Sequence, residues 1–114
     1  IYLSIHSNAG GGKGFEVFTS VGQTKSDKVA HFFCEQYQKD FPNFAFRADH
    51  SDGDHDKEAG FYVLRKTDCP AVLVENLFFD NRLEAEFLIS EVGQQLIAEC
   101  LFKAIKMVET IKPI

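Results

Sequence analysis

Three segments of the chain have the hydrophobic pattern of β-strands. In residues 1–6 (IYLSIH) apolar and polar side chains alternate with the period of a half-buried strand. A glycine-rich connection over residues 10–14 (GGGKG) leads to a second predicted strand at residues 15–19 (FEVFT). Pro70 then precedes residues 71–74 (AVLV), an unbroken apolar run that is typical of a strand covered on both faces.

A first helix is predicted between Ser26 and Pro42. Ser26 is a suitable N-cap, apolar residues follow at helical spacing, and Pro42 prevents continuation of the helix. Residues 43–60 are polar and rich in Asp and His, so we expect a surface loop there, with a short strand near residues 44–46. Residues 61–65 are expected to be extended.

Two further helices are predicted near the end of the chain. Asn81, followed three residues later by Glu84, is the pattern of a capping box and starts a short helix that runs through Ile89. Ser90 is the expected cap of a longer last helix. Its apolar positions recur every four residues and have apolar neighbours: Val92, Leu96, Cys100, Ala104 and Val108, flanked by Ile97, Leu101 and Ile105. This broad stripe is expected to pack on the sheet.

Strands that alternate with helices indicate an α/β fold. We expect a single domain over residues 1–114, with a mostly parallel twisted sheet flanked by helices. The chain has 114 residues and is 45% hydrophobic, which suits one compact core. Because it begins at Ile1 within a strand-like pattern, we expect it to be part of a longer domain whose N-terminal part is not included.

Charge and cysteine content exclude several classes of function. Twelve Lys and Arg against seventeen Asp and Glu give a formal charge of −5, which argues against a nucleic-acid partner. No stretch approaches the roughly 20 apolar residues that a membrane span needs. The three cysteines, Cys34, Cys69 and Cys100, have no C-x-x-C spacing, which argues against a disulfide framework and a zinc knuckle. Cys34 and Cys100 fall on apolar helix faces and are expected to be buried thiols.

Two polar residues at the ends of predicted strands could carry chemistry. His6 stands beside the glycine-rich loop, where an imidazole could bind a metal; a histidine held by hydrogen bonds at a strand end is the alternative. Glu75 follows the apolar run 71–74, where desolvation is expected to raise its pKa and suit it to proton transfer; a salt-bridged or capping carboxylate is the alternative. If the two strands are parallel, both side chains lie at the same edge of the sheet.

Other suggestive segments lack residues that their chemistry requires. The lysine of residues 12–14 (GKG) is not followed by Ser or Thr, so no phosphate-binding loop is predicted. Asp52, Asp54 and Asp56 resemble a calcium loop without its glycine and its last glutamate. The remaining candidates, none of which lies in a complete motif, are His50 and His55 as metal ligands and Ser4, Ser7 and Cys69 as nucleophiles.

Three segments carry a resemblance to a known family: residues 2–9 (YLSIHSNA), 14–18 (GFEVF) and 69–75 (CPAVLVE), in that order. They resemble the zinc-dependent N-acetylmuramoyl-L-alanine amidases of bacterial cell walls and phage endolysins. Residues 64–65, residues 78–81 and the last helix are also similar to that family. The resemblance covers nearly the whole chain and corresponds to the C-terminal two-thirds of the catalytic domain.

The resemblance implies a peptidoglycan hydrolase that cleaves the amide bond between the lactyl group of N-acetylmuramic acid and L-alanine of the stem peptide. It implies that His6 is one of three protein ligands of Zn²⁺ and that Glu75 is the general acid and base. The other two ligands, a histidine and a glutamate, are then expected upstream of this chain. Asn8 and the glycine-rich loop are expected to line the cleft and hold the peptide. Arg65 is expected to meet a carboxylate of the stem peptide, because of its charge and its position in a family-like segment. The expected state is a monomer, either secreted or in the cell envelope, or acting as a phage lysin.

The chain departs from the family pattern at two positions near Glu75. Leu77 stands where a glycine is common, and Asp80 replaces a frequent serine before Asn81, so the leaving-group pocket is expected to differ. Two alternatives are a catalytically silent peptidoglycan-binding module of the same fold and another zinc hydrolase, such as a carboxypeptidase. The residues ahead of Ile1 would distinguish them, because an active amidase requires a histidine and a carboxylate there.

Overall fold

The computed structural model describes residues 1–20, 24–47, 57–58, 62–66 and 68–111, except the side chains of Lys57, Glu58, Val63 and Arg65. The elements in chain order are β1 (Tyr2–Asn8), β2 (Phe15–Thr19), α1 (Lys25–Asp40), β3 (Lys57–Glu58), α2 (Tyr62–Arg65), β4 (Ala71–Phe78), α3 (Arg82–Ile89), α4 (Glu91–Val108) and a final 3₁₀ turn, Glu109–Ile111. None of the helices in these ranges is long and apolar enough to cross a bilayer.

The four strands form one sheet in the order β1-β4-β2-β3. β1 is parallel to β4 and β2 is parallel to β3, whereas β2 is antiparallel to β4. The connection from β1 to β2 is too short for a crossover, so the chain reverses its direction between them. The α/β class and the mostly parallel sheet predicted from the sequence are confirmed, with β2 as the strand that makes the sheet mixed.

The two faces of the sheet differ in what they bury. On one face, which we call the core face, Phe15, Val17, Val72 and Val74 belong to a large apolar cluster with residues of α1 and α4. The opposite face, which we call the polar face, carries His6, Glu75 and Glu16 and only a small apolar cluster. That cluster consists of Leu64, Ala71 and Leu73, with Phe18 packed against it. The core of the molecule therefore lies between the sheet and the two long helices.

The first helix begins earlier than the sequence predicts. Its N-cap is Thr24, which forms a reciprocal capping box with Asp27, and the helix ends at Asp40 before Pro42. The prediction of Ser26 as the cap was wrong. Ser26 lies in the first turn, where its buried hydroxyl accepts a hydrogen bond from the backbone N–H of Ala71 at 2.9 Å and so connects α1 to the start of β4.

The predicted cap residues of the last two helices are confirmed. The capping box predicted for α3 is only half formed, because the N–H of Asn81 donates to the carbonyl of Phe78 and not to the carboxylate of Glu84. Asn81 accepts a hydrogen bond from the N–H of Glu84, and Ser90 accepts one from the N–H of Gly93. The apolar stripe of α4 is narrower than predicted, because Val92 is 69% exposed and Leu96 is 41% exposed. The buried residues of α4 are Gly93, Ile97, Cys100, Leu101, Ala104 and Val108. Cys34 is buried on α1 and Cys100 on α4, as predicted, and Cys69 is exposed.

The secondary structure predicted from the sequence agrees least with the structure in the segment between α1 and β4. Residues 62–65 form one helical turn, so the expected extended conformation was wrong there; burial of Leu64 against Ala71 and Leu73 explains the turn. The expected strand near residues 44–46 is reduced to a single bridge between Phe46 and Phe15. Most of the acidic loop lies outside the described residues, and with it the candidates Asp52, Asp54, Asp56, His50 and His55.

Candidate active site

The structure places His6 and Glu75 side by side. They are direct partners in the register of the parallel strands β1 and β4, and backbones of neighbouring strands lie about 4.8 Å apart. Register partners point to the same face, so both side chains lie on the polar face. The predicted proximity is confirmed, but the prediction that both residues end their strands was wrong. β1 continues to Asn8 and β4 continues to Phe78.

β4 continues past Glu75 through a β-bulge. Before the bulge Val72 and Val74 face the core, and after it Leu77 does. The register shifts between His6 and Asn8, since Asn8 is paired with Phe78. Within this bulge Leu77 has a φ of 64° and a fully buried side chain. A side chain in this left-handed region costs about 1–2 kcal/mol, a cost that glycine does not have. The common glycine of the family pattern therefore has a physical reason, and Leu77 offsets the strain by filling the core.

A third residue, Glu16, completes a row across the sheet. Glu16 is the register partner of Glu75 on β2, so the row reads His6, Glu75, Glu16. Its side chain is only 4% exposed, and Arg47 Nε lies 3.1 Å from its Oε1. The Nδ2 group of Asn8 donates to the same oxygen at 2.7 Å. Sequence analysis missed Glu16, although the alternation of β2 places it opposite the core residues Phe15 and Val17.

The surroundings of Glu75 favour its protonated form. Burial raises the pKa of this carboxyl above its usual value, and the neighbouring charge of Glu16 raises it further, while His6 acts in the opposite direction. The direction agrees with the desolvation expected from the sequence. A carboxylate with a raised pKa holds a proton more strongly than an exposed one, which is the property required of a group that accepts a proton and returns it.

His6 is held at two points while its ring stays exposed. Its Nε2 and the hydroxyl of Ser4 are hydrogen bonded at 2.7 Å. Its backbone carbonyl accepts a hydrogen bond from Nδ2 of Asn76 at 3.1 Å, and the hydroxyl of Tyr37 donates to Oδ1 of Asn76 at 2.6 Å. This buried connection, which the sequence did not predict, joins α1 through β4 to the histidine. Burial raises the pKa of Tyr37 well above its ordinary range, so its hydroxyl remains a donor.

Two acidic side chains hold the glycine-rich loop beside this row. The carboxylate of Asp80 accepts from the N–H groups of Gly10 and Gly11 at 2.9 and 3.0 Å, and these bonds lower its pKa. The buried carboxylate of Glu84 accepts from the N–H groups of Gly14 and Phe78. Gly14 has a φ of +100°, and a Cβ there would lie 2.3 Å from the carbonyl oxygen of Ala45. The loop is therefore fixed at both ends by residues that follow β4.

The donor set fits part of a zinc site. Imidazole nitrogen is a zinc ligand type, and the exposed ring of His6 presents one beside Glu75, its register partner on β4. A metal-binding histidine usually bonds a second group through its other ring nitrogen, as His6 does through Nε2 with Ser4. Within the part of the chain that the structure describes, no group of three or more His, Cys, Asp or Glu side chains is arranged to hold a metal.

The two residues expected to bind peptide are placed differently. Asn8 lies at the end of β1, and its amide is engaged within the protein, because it donates to Glu16 and accepts from the N–H of Ala9 at 2.9 Å. Arg65 ends α2, and its side chain lies outside the described part of the structure. Of the remaining nucleophile candidates, Ser4 is engaged with His6 and Cys69 is an exposed residue before Pro70.

Comparison with known proteins identifies a family. Residues 1–107 match the family model of N-acetylmuramoyl-L-alanine amidase. The chain is 38% identical over 97 residues to the N-acetylmuramoyl-L-alanine amidase CwlM of Bacillus licheniformis, covering 85% of this chain and 36% of that protein. It is 37% identical over 103 residues to the endolysin of Bacillus phage SPP1, covering 87% of this chain and 36% of that protein. The chain thus spans about a third of the length of these relatives.

The fold is also that of a solved amidase. The crystal structure of N-acetylmuramoyl-L-alanine amidase from Clostridium difficile 630 superposes with a TM-score of 0.82 at 23% identity. The match covers 96% of this chain and 57% of that chain. At this identity the likeness concerns the arrangement of the backbone, which is the arrangement that places His6 beside Glu75.

Proposed function

The chain belongs to the N-acetylmuramoyl-L-alanine amidase family, and we propose that the protein hydrolyses the amide bond between the lactyl group of N-acetylmuramic acid and L-alanine in peptidoglycan. The observation that carries this proposal is the register pair of His6 and Glu75 on parallel strands. It lies within the residues that match the family model. Residues 1–114 are then part of the catalytic domain, and the protein acts on the cell wall, as a secreted or envelope enzyme or as a phage lysin.

His6 is proposed as a ligand of a zinc ion. Its exposed ring has Nε2 bonded to Ser4, which leaves Nδ1 as the ring nitrogen without a partner among the described residues. The further ligands are proposed to come from outside this chain. When bound in such a site, zinc supplies activation of a water molecule near neutral pH and polarisation of the substrate carbonyl.

Glu75 is proposed to move the proton during hydrolysis. It accepts a proton from the attacking water as the water oxygen forms a bond to the lactyl carbonyl carbon. It then donates that proton to the nitrogen of L-alanine as the carbon–nitrogen bond breaks, which releases a lactyl carboxylate and a peptide with a free amino terminus. Burial and the nearby charge of Glu16 support this role, because both raise the pKa of Glu75.

The surroundings of this pair are proposed to shape the substrate cleft. Asn8 lines the cleft and orients Glu16 through its 2.7 Å hydrogen bond. Arg65 is proposed to contact the stem peptide, on the grounds of its charge and its position in a family-like segment. Asp80, where the family pattern has serine, holds the glycine-rich loop beside this cleft, and it is proposed to alter the preference for the leaving peptide. The side chain of Leu77, where the family pattern has glycine, is buried in the core, so the expected effect of this residue on the leaving-group pocket was wrong.

The proposal is tested by digesting purified sacculi with the full-length protein and identifying the products by mass spectrometry. The wild-type protein is expected to release stem peptides that begin with a free L-alanine. Glu75→Gln is expected to lower the rate by roughly 10²–10⁴-fold, the usual contribution of a general acid and base. Glu86→Gln is the matched control, because Glu86 is an exposed residue of α3.

Three results would contradict the proposal or part of it. A wild-type protein that binds sacculi without releasing any peptide would be a silent binding module. Products in which L-alanine remains attached to the glycan and the peptide is shortened would identify a carboxypeptidase. Undiminished release by Glu75→Gln would remove Glu75 from the mechanism.

A further inference from the structure

Arg47 is a charged residue that contacts Glu16 on the polar face. The proposed reaction assigns no role to it. Its backbone N–H donates to the carbonyl of Phe15 at 2.8 Å, so its position is tied to the first residue of β2. Its Nε lies 3.1 Å from the carboxylate of Glu16, and Glu16 is the register partner of Glu75. The guanidinium of Arg47 is therefore separated from Glu75 by the carboxylate of Glu16 and by the distance between the neighbouring strands β2 and β4.

The guanidinium is held in one orientation by its neighbours. It lies over the ring of Phe78, with its central carbon 5.2 Å from the ring centroid, which is within the range of a cation–π contact. Gly12 leaves room for both groups, because a Cβ at that position would lie 2.5 Å from Nη1 of Arg47 and 2.6 Å from the ring of Phe78. The cation is thus ordered before any substrate binds, which reduces the entropy cost of binding.

The same side chain remains accessible to a ligand. It is 41% exposed, whereas its partner Glu16 is 4% exposed. The Glu16 carboxylate contacts Nε and also accepts from Asn8, and no second carboxylate contacts the terminal amino groups of Arg47 among the described residues. Guanidinium groups bind carboxylates through paired N–H donors, and the geometry distinguishes a carboxylate from a neutral amide.

We propose that Arg47 is a substrate-binding residue that receives a free carboxylate of the stem peptide. The proposal rests on the proposed function, since it names which feature of the peptide this site recognises. Glu16 holds Arg47 in place, Phe78 packs against its guanidinium, and the terminal amino groups contact the substrate. Arg47 determines specificity in this account, and Glu75 carries out the proton transfer.

The test uses two synthetic muramoyl peptides of identical sequence, one with free carboxylates and one with these groups converted to carboxamides. With the full-length protein, Arg47→Met is expected to raise KM for the free-carboxylate peptide by about 10- to 100-fold, the range for hydrogen bonds to a charged group. The KM for the carboxamide peptide is expected to rise by much less, so the preference for the free-carboxylate peptide falls, and any change in kcat is expected to be the same for both peptides. Arg82→Met is the matched control, since the side chain of Arg82 is 91% exposed on α3.

A second variant, Arg47→Lys, and a binding measurement on Glu75→Gln complete the test. Arg47→Met removes a cation from beside the buried Glu16. If that variant does not fold, Arg47→Lys, which keeps the charge but not the paired donors, decides the question. It should show a smaller increase in KM, again only for the free-carboxylate peptide. Calorimetric binding of both peptides to Glu75→Gln separates this proposal from the proposed function, because the difference in affinity must persist even if no bond is cleaved.

Either of two results would overturn the proposal. One is an equal loss of affinity for both peptides in the Arg47 variants, which would mean a structural role. The other is unchanged affinity for the free-carboxylate peptide in Arg47→Lys and Arg47→Met.

Discussion

The two faces of the sheet use opposite means to stay ordered. The core face packs apolar side chains such as Phe15, Val17 and Val74 against α1 and α4, and its stability comes from burial. The polar face keeps three titratable groups in one row and holds them through hydrogen bonds and the ion pair between Glu16 and Arg47. The comparison indicates that apolar packing on the core face stabilises the fold. This stability offsets the cost of burying the carboxylate of Glu16 on the polar face.

The largest expected effect on stability belongs to the core face. Phe15 is 1% exposed and stacks on Tyr37 with ring centroids 4.6 Å apart. Phe15→Ala is expected to lower the free energy of unfolding by about 3–5 kcal/mol, measured by urea denaturation. Phe79→Ala is the control, because Phe79 is 59% exposed, and it should change stability by less than about 0.5 kcal/mol. Equal effects of the two substitutions would contradict the assignment of the core.

A smaller loss is expected where a buried carboxylate holds the glycine-rich loop. Glu84→Ala removes the acceptor of the N–H groups of Gly14 and Phe78. Because both donors lose their partner, we expect a cost of about 2–4 kcal/mol in the same denaturation experiment. The control is Glu86→Ala, whose side chain is 60% exposed. Glu84 would be an ordinary surface residue if the two variants unfolded at the same urea concentration.

The smallest effect is expected at the polar connection that crosses from the core to His6. Tyr37→Phe removes the hydroxyl that donates to Asn76 at 2.6 Å and leaves that amide oxygen without its donor. The expected cost is about 1–2 kcal/mol. Tyr2→Phe, at a residue that is 44% exposed, should be neutral within about 0.5 kcal/mol. An unchanged unfolding curve for Tyr37→Phe would show that the hydrogen bond contributes nothing to the position of β4.

Much of the fold was predictable because local patterns and tertiary packing agree. β2 has the bounds that its sequence predicts, and Asn81 and Ser90 cap their helices as expected. The proximity of His6 and Glu75 followed from two strands that proved to be parallel. The family resemblance also pointed to the correct family, which the match over residues 1–107 shows.

The errors arise where a residue depends on distant partners. The extension of β4 beyond Glu75 needs a bulge with Leu77 at a φ of 64°, a conformation that a leucine does not signal. Residues 62–65 form a helical turn because Leu64 packs on β4, which lies several residues later in the chain. The burial of Glu16 and the bond of Glu84 to the glycine-rich loop were not predicted. Carboxylates are almost always exposed unless they are paired, and the partners of these two become neighbours only in the folded chain.

The most direct test of the account is the zinc content of the full-length protein and its variants, measured together with release of stem peptides from sacculi. If His6 and Glu75 form one site with separate tasks, His6→Ala should lose both zinc and activity, whereas Glu75→Gln should keep zinc and lose activity. His31→Ala is the control, because His31 is an exposed residue of α1, and it should keep both. A His6→Ala protein with the zinc content of the wild type, or a Glu75→Gln protein that still releases peptides, would contradict the account.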